Sequence, residues 1–317
     1  MQRNSLTFAE GAFWRGRGMT ASKSATVCKT NGGKAKKLPK SVPHALLTGS
    51  VPVDSDAVGD RWTVQDIDRL AKLIALIAMG QAIHAAKIIS ELAPASPAIT
   101  HDALILAAKQ QLRINGTTED QKGASRWRRD GFLFESISWI AARQQSSLRT
   151  YLKDPHIKST TQGIDGLMIE MDANAPQVSR ATIFEDKCSD NPRAIFRDDV
   201  MKSFEDHHNH ARAPELVSVA ASLIAKSSID ETAAVEAAAR VLDLAYRRYR
   251  ASLAITAKDD TQKGRAALFK GYGKLTGIEA KQRVGATFVI DDDLRGWFDE
   301  LAEQAMTVLD GFKKDAI

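Results

Sequence analysis

The sequence predicts a mixed α/β domain with a small, partly antiparallel sheet. Three observations lead to this prediction. Segments with apolar residues at helical spacing dominate residues 61–143. Two extended segments, 163–171 and 180–187, then flank a turn that contains Asn174 and Pro176. Further helical segments lead to one more extended run at 284–290.

The bulk properties narrow the class of protein. The chain has 317 residues, 44% of them hydrophobic, which is enough for one or two domains with a substantial core. No apolar run approaches the ~20 residues that a membrane span needs, and no secretory signal is recognised, so we expect no membrane partner. Two cysteines, Cys28 and Cys188, favour a reduced, cytoplasmic location. The net charge of +5 is compatible with nucleic acid, but most of the excess lies in the N-terminal tail.

The first part of the chain is predicted to hold an arm and a helical subdomain. Residues 1–60 are polar and basic, which indicates a disordered arm. Such an arm suits contact with phosphates. Alternatively, Met19 is the true first residue of the protein. Residues 61–120 form the helical subdomain. Thr63 and Asp66 resemble a capping signal for a helix of about thirty residues, and a shorter helix covers 101–114.

Residues 121–317 are predicted to form the α/β domain. A helix over 130–143 precedes extended segments at 156–161, 163–171 and 180–187, and a helix over 194–208 follows them. Ala-rich residues at 213–226 and 230–256 indicate a helical insertion at about 211–260. The extended run at 284–290 and a last helix at 294–312 complete the domain.

A candidate site lies at the end of the second extended segment. Glu185 and Lys187 point to the same face because side chains alternate along a strand, while Asp186 points away. If the two segments pair through the turn, Asp165 converges on Glu185. Two carboxylates there suit Mg²⁺, with the peptide carbonyl of Asp186 as a further ligand. Lys187 would then orient a water or stabilise developing negative charge.

This pattern resembles the PD-(D/E)xK nuclease superfamily, which is restriction-endonuclease-like and whose core runs α-β-β-β-α-β. The resemblance covers residues 130–208, with 284–290 as the last strand. Asp165 matches the first acidic position, Glu185 and Lys187 match the Glu-x-Lys pair, and Glu135 matches an extra carboxylate in the preceding helix. Ile164 stands where the family often has proline, and the glutamine–tyrosine pair of one branch is missing from the following helix.

The resemblance implies a DNA endonuclease or nickase that depends on Mg²⁺, or on Mn²⁺ in its place. The chain length and the Glu-Asp-Lys segment followed by a helix also resemble nuclease subunits of bacterial anti-phage systems, such as Hachiman-type nucleases. That resemblance implies a role in defence or restriction and a helicase or ATPase partner. By analogy with enzymes that cut both strands, a homodimer is a further expectation.

Alternatives stay open at this point. An acidic-x-Lys triplet occurs by chance about twice in a chain of this length, so Glu185 and Lys187 also fit a surface pair. A degenerate nuclease fold would serve as a non-catalytic adaptor or a nucleic-acid-binding subunit. Glu135 fits a site residue and a solvated helix position equally.

Other residues have a functional and a structural interpretation. Four consecutive residues combine cations with an aromatic ring and suit nucleic-acid contact or a solvated helix: Arg126, Trp127, Arg128 and Arg129. His207, His208 and His210 fit a helix C-terminus better than a metal site. Cys188 lacks the partners of a nucleophile, and residues 270–274 suggest a flexible basic loop.

Overall fold

A seven-stranded mixed sheet forms the centre of the structure, a computed structural model that describes residues 44–157, 163–227 and 230–314. The strands are β1 (Leu46–Pro52), β2 (Val58–Val64), β3 (Thr150–Leu152), β4 (Gly166–Met171), β5 (Val178–Lys187), β6 (Arg247–Thr256) and β7 (Arg283–Ile290). They lie in the order β1-β2-β7-β6-β5-β4-β3. Strands β2, β7, β6 and β5 run parallel, whereas β1, β4 and β3 pair antiparallel with their neighbours. The predicted mixed α/β class is confirmed.

Helices cover both faces of this sheet. They are α1 (Ile67–Ala78), α2 (Ala82–Ile89), α3 (Asp102–Leu112), α4 (Glu119–Gln144), α5 (Pro192–Ile195), α6 (Met201–His208), α7 (Ala213–Ala225), α8 (Glu231–Ala238), α9 (Gln262–Leu268) and α10 (Leu294–Lys314). One apolar cluster joins α1–α4 and α10 to the sheet, and a second joins α6–α9. The two clusters lie on opposite faces because neighbouring residues of β5 belong to different ones.

The alternation along β5 positions the candidate site. Ile183 belongs to the cluster that contains α6 and α7, and Phe184 belongs to the cluster that contains α4. Glu185 therefore lies on the Ile183 face and Asp186 on the Phe184 face. Because β4 pairs antiparallel with β5, the residue that precedes β4, Asp165, lies beside the end of β5.

The N-terminal segment departs from the prediction of an arm that reaches residue 60. Strands β1 and β2 form a hairpin, and β2 pairs in parallel with β7. The prediction is therefore wrong for residues 46–60, and residues 1–43, which carry the rest of it, lie outside the described residues. The error has a local cause: β1 is an edge strand with mostly exposed side chains, so its sequence carries little apolar alternation.

The predicted thirty-residue helix is two helices. Asp66 caps α1 by accepting a hydrogen bond from the Arg69 amide at 2.9 Å, and α1 ends before Gly80, whose φ of +76° turns the chain into α2. Helices α1–α3 share one apolar cluster with α4 and α10. Residues 61–120 therefore do not form a separate subdomain.

The helix predicted over 230–256 is also wrong at its C-terminal end. Arg247–Thr256 forms β6, between β5 and β7. Alanines such as Ala251 and Ala254 favour a helix locally, but burial on both faces of a parallel sheet selects an extended strand. The insertion thus ends before residue 247, and β6, not the strand at 284–290, is the parallel neighbour of β5.

The remaining elements follow the sequence more closely. The helix predicted at 130–143 is the C-terminal half of α4. The helix predicted at 194–208 consists of α5, a π-helical turn at Phe196–Val200 and α6. Strand β3 at Thr150–Leu152 was not predicted, and most of the extended segment predicted at 156–161 lies outside the described residues.

Candidate active site

Three predicted residues meet at the ends of β4 and β5. The Lys187 ammonium lies 2.6 Å from Oδ2 of Asp165 and 2.9 Å from Oε2 of Glu185. The backbone amide of Asp186 also donates to Oδ2 of Asp165, at 3.3 Å. We call Asp165, Glu185 and Lys187 the carboxylate–lysine cluster. Their convergence follows from the antiparallel β4–β5 pairing that the turn between the strands predicts.

The chain before β4 is held so that Asp165 reaches β5. Gly163 has a φ of +151°, which side chains disfavour, and a Cβ there would lie 3.3 Å from Oε1 of Glu215. The same Glu215 oxygen accepts a hydrogen bond from the Ile164 amide at 3.0 Å. At Gly166 a Cβ would lie 2.6 Å from the Phe184 ring, so only glycine lets the strands approach this closely.

Burial and charge set the protonation of the cluster. Burial raises the pKa of Glu185 to about 7, although the Lys187 ammonium lowers it. Burial also raises the pKa of Asp165, but Lys187 outweighs that effect and the net pKa lies below its usual value. Burial lowers the pKa of Lys187, yet the two carboxylates raise it above its usual value overall. Lys187 is therefore a cation at neutral pH. Ser203 on α6 donates to the other oxygen of Glu185.

Asp186 occupies the opposite face, as the alternation predicts. Its carboxylate accepts a hydrogen bond from Ser138 of α4 at 2.8 Å and lies 3.8 Å from the Arg250 guanidinium. Burial raises its pKa to about 6, against the lowering effect of Arg250. The Asp186 side chain thus links β5 to α4 and β6, and only its backbone carbonyl remains a candidate metal ligand.

A surface cleft of about 430 Å³ opens onto the cluster. Its lining consists of Ala124, Trp127, Arg128, Gly131, Phe132, Glu135, His156, Asp165, Asp186, Lys187, Cys188 and Ile195. Six of these residues form one face of α4, because they recur at helical spacing. The cleft therefore joins this face of α4 to the ends of β4 and β5.

Glu135 lies in this cleft but outside direct contact with the cluster. Its Oε1 accepts from the His156 amide at 2.8 Å and lies 3.0 Å from Nδ1 of the His156 ring. The Lys153 ammonium lies 2.9 Å from Nε2 of the same ring. Burial lowers the pKa of Lys153, while Glu135 and Asp165 raise it. Glu135, His156 and Lys153 thus form a second group of titratable side chains near the carboxylate–lysine cluster.

Sequence reasoning missed Lys153, His156 and Ser203. The first two lie in the irregular segment after β3, where no periodicity marks a residue as inward-facing. Ser203 lies on α6, where helical spacing from Phe196 and Val200 could have indicated the buried side.

A divalent cation fits the cluster by its donor chemistry. Two carboxylates outweigh one ammonium, and their oxygens converge on a single point that already attracts a cation. Hard oxygen ligands suit Mg²⁺, which keeps several waters. Within residues 44–157, 163–227 and 230–314, no group of three or more His, Cys, Asp or Glu side chains is arranged to hold a metal. Asp165 and Glu185 are the side chains that would hold the ion.

The four residues considered for nucleic-acid contact divide into two pairs. Trp127 and Arg128 are exposed and line the cleft. Arg126 is half-buried and lies 3.4 Å from Asp299. Arg129 is buried and donates to Asp130 at 2.6 Å, so its predicted nucleic-acid contact is wrong: this guanidinium is used inside the fold.

The three histidines and Cys188 lie in separate environments. His207 is buried, His208 contacts the Thr276 carbonyl at 2.9 Å, and His210 contacts Arg247 at 3.0 Å, so the three rings do not share a metal. Burial raises the pKa of Cys188 to about 12, which leaves the thiol protonated and unreactive.

The predicted flexible loop at 270–274 is tied down. The Tyr272 ring is fully buried, and its hydroxyl donates to the Tyr249 carbonyl at 3.0 Å. The Lys270 carbonyl accepts a hydrogen bond from Arg193 at 2.7 Å. The two contacts fix the segment against the second apolar cluster.

No family model matches the sequence, and no curated protein matches it. None of the described helices has both the length and the apolar character that crossing a bilayer requires.

Proposed function

We propose that this protein is a metal-dependent phosphodiesterase that cuts DNA, as an endonuclease or nickase of the PD-(D/E)xK kind. The observation that carries the proposal is that the Lys187 ammonium lies within 2.9 Å of both Asp165 and Glu185 at the ends of two paired strands, where Asp165 and Lys187 line a surface cleft. Two acids and a cation at such a point match the needs of phosphoryl chemistry, where charge must be neutralised around a phosphorus centre.

The chain's own residues have distinct roles in this proposal. Asp165 and Glu185 would hold Mg²⁺, or Mn²⁺, with the Asp186 carbonyl as a further ligand. A bound ion lowers the pKa of a water and stabilises charge on the phosphate. Lys187 stays protonated, so it donates to substrate oxygen or water and stabilises negative charge; it does not act as a general base. Glu135, paired with His156, would position groups at the cleft wall.

The order of elements supports the same family. Helix α4, strands β3, β4 and β5, helix α6 and strand β6 come in the order α-β-β-β-α-β, with α5 before α6 and with α7 and α8 inserted between α6 and β6. The acidic positions lie on β5 and immediately before β4, where the resemblance requires them. In this assignment the last strand is β6, the parallel neighbour of β5. The strand at 284–290 lies one position further away.

The test is a cleavage assay with the full-length protein, supercoiled plasmid and circular single-stranded DNA, with MgCl₂, MnCl₂ or EDTA. Glu185→Ala and Lys187→Ala should each abolish cutting, and EDTA should do the same. The chain supplies a matched control, since Glu279 and Lys281 form an exposed Glu-x-Lys pair. Glu279→Ala and Lys281→Ala should cut normally. Cutting that survives both β5 variants would remove the catalytic assignment, and a wild-type protein that cuts under none of these conditions would favour a non-catalytic adaptor with the same fold.

The biological setting is part of the proposal and rests on the resemblance to anti-phage nuclease subunits. A helicase or ATPase partner would deliver DNA to the cleft. Co-purification of this chain with the product of a neighbouring helicase or ATPase gene, followed by the same assay with ATP, tests it. Cutting that is unchanged by that partner would separate the nuclease activity from the proposed partnership.

A further inference from the structure

The cleft carries an aromatic ring that its fold does not use. Trp127 is 65% exposed, and among the described residues that are large, hydrophobic and exposed it is the one aromatic. Isolated exposed apolar residues are common and need no explanation. Trp127 differs because it lines the same cleft as Asp165 and Lys187.

Small residues flank Trp127 on the cleft face of α4. Gly131 lies one turn further along α4, and Ala124 lies one turn before. A Cβ at Gly131 would meet nothing within 4 Å, so packing does not require glycine there. Glycine in a helix interior costs about 1 kcal/mol relative to alanine. The residue therefore leaves open space against the indole on the cleft side.

An unpaired cation stands next to the ring. Arg128 is exposed, lines the cleft and has no hydrogen bond or ion pair within the described part of the chain. Its neighbour Arg129, by contrast, is bound to Asp130 and Asp299. An arginine beside an exposed aromatic is the combination by which proteins hold a phosphate and its base together.

We propose that Trp127 stacks on an unpaired nucleobase while Arg128 binds the adjoining phosphate, so that the cleft takes single-stranded DNA or an unpaired end. The inference rests on the proposed function, because it names the substrate class of that same site. Trp127 precedes Glu135 by eight residues, which is about 12 Å along the helix at 1.5 Å per residue. At 3.4 Å per stacked step, that separation corresponds to about four nucleotides between the stacked base and the cleft wall at Glu135.

Duplex DNA does not meet the geometry. Inside a duplex both faces of a paired base are covered by its neighbours, so a protein ring reaches an internal base only after that base is unstacked. The cleft of about 430 Å³ has the size of a small-molecule site. A single strand offers free base faces and a narrow backbone, and stacking on every base tolerates any sequence.

Binding is measured by fluorescence anisotropy in EDTA, which prevents cutting. The probes are a fluorescein-labelled oligonucleotide of about 16 nucleotides and the blunt duplex of the same sequence. The full-length wild type should bind the single strand more tightly. Trp127→Ala should weaken single-strand binding by roughly 5- to 150-fold, and Trp127→Phe should retain most of it. Arg128→Gln should reduce the salt dependence of binding by about one phosphate contact.

Leu106→Ala is the matched control, since Leu106 is 56% exposed and lies outside the cleft. It should bind like the wild type. Equal binding of both probes by the wild type, or unchanged single-strand binding by Trp127→Ala, overturns the inference even if Glu185→Ala abolishes cutting. Single-strand binding that depends on Trp127, without cutting in MgCl₂ or MnCl₂, instead overturns the proposed function and leaves a single-strand binding site.

Discussion

Two Glu-x-Lys triplets in this chain have the same pattern and opposite surroundings. Glu185 and Lys187 close a buried strand, and their side chains are 5% and 27% exposed. Glu279 and Lys281 lie in a surface turn, 67% and 74% exposed, and form an ion pair at 2.5 Å. Glu279 also accepts a hydrogen bond from the Gln282 backbone, which caps this turn. The first pair meets a third charge, Asp165, while the second meets none within the described residues. The triplet alone therefore carries no chemistry; burial and a converging acid give it chemistry.

The largest expected difference between the two Glu-x-Lys triplets is in DNA cleavage. Glu185→Gln keeps the shape of the side chain but removes its charge, so cleavage should fall by roughly 100- to 1000-fold, the cost of removing one stabilising group at a reacting centre. Glu279→Gln should change cleavage by less than about twofold, because an exposed pair contributes little. Rates of plasmid nicking under matched conditions check both. Equal losses in the two variants would erase the distinction between the pairs.

Lys187 should also contribute more than Lys281 to the free energy of unfolding. Lys187→Met leaves two partly buried carboxylates without their cation, which should lower the free energy of unfolding by about 3 kcal/mol. Lys281→Met should change it by less than about 1 kcal/mol. Urea denaturation measured by circular dichroism provides both values. A Lys187→Met protein as stable as the wild type would mean that the carboxylates need no cation.

The buried His207 ring shows how neighbouring charges and burial together set the pKa of a side chain. Burial, followed by Arg212 and Arg247, lowers the pKa of His207 from 6.5 to about 4. Neither ring nitrogen has a hydrogen-bond partner within the described part of the chain. Because the unfolded chain binds the proton more tightly, stability is complete above pH 6.5 and is lost as the pH falls toward 4. The loss should reach about 3 kcal/mol.

The measurement for His207 is the difference between wild type and His207→Leu. The free energy of unfolding is determined from pH 7.5 to pH 4, where the protonation of carboxylates affects both proteins alike. The difference should change in favour of His207→Leu as the pH falls. A constant difference would show that His207 keeps an ordinary pKa when folded.

The sequence was sufficient for the residues that obey local rules. Alternation along β5 places Glu185 and Lys187 together, and a hairpin turn is enough to bring Asp165 beside them. These rules need only neighbours in the chain. The same rules failed for β6, whose alanines favour a helix, because its extended form is selected by burial between β5 and β7.

The cleft was harder to predict than the cluster. Glu135 was uncertain because helical spacing does not tell a cleft wall from a solvated face. Its partners Lys153 and His156 lie in irregular chain, where position depends on contacts from elsewhere in the fold. Arg128 and Arg129 are adjacent in sequence, yet one is exposed and the other is fully paired. Their separation follows from the packing of α4, which no local pattern encodes.

The two triplets should also differ in cation binding, with a smaller effect on the free energy of unfolding. A cation that binds only the folded protein stabilises it by about 1.4 kcal/mol at ten times its dissociation constant. MgCl₂ should therefore raise the free energy of unfolding of the wild type and of Glu279→Gln, but not of Glu185→Gln. NaCl at equal ionic strength controls for screening. A magnesium effect that survives in Glu185→Gln would locate the ion elsewhere.

The smallest effect concerns the open surface around the first triplet. Gly131→Ala should raise the free energy of unfolding by about 0.5 to 1 kcal/mol, because alanine suits a helix interior. It should also weaken single-strand binding, because the new methyl group enters the cleft beside Trp127. Gly123→Ala is the matched control: its Cβ also meets nothing within 4 Å, but Gly123 does not line the cleft. Equal stabilisation with lost affinity at residue 131 alone would show that this glycine is kept for binding, whereas equal affinity would show that the cleft tolerates a side chain there.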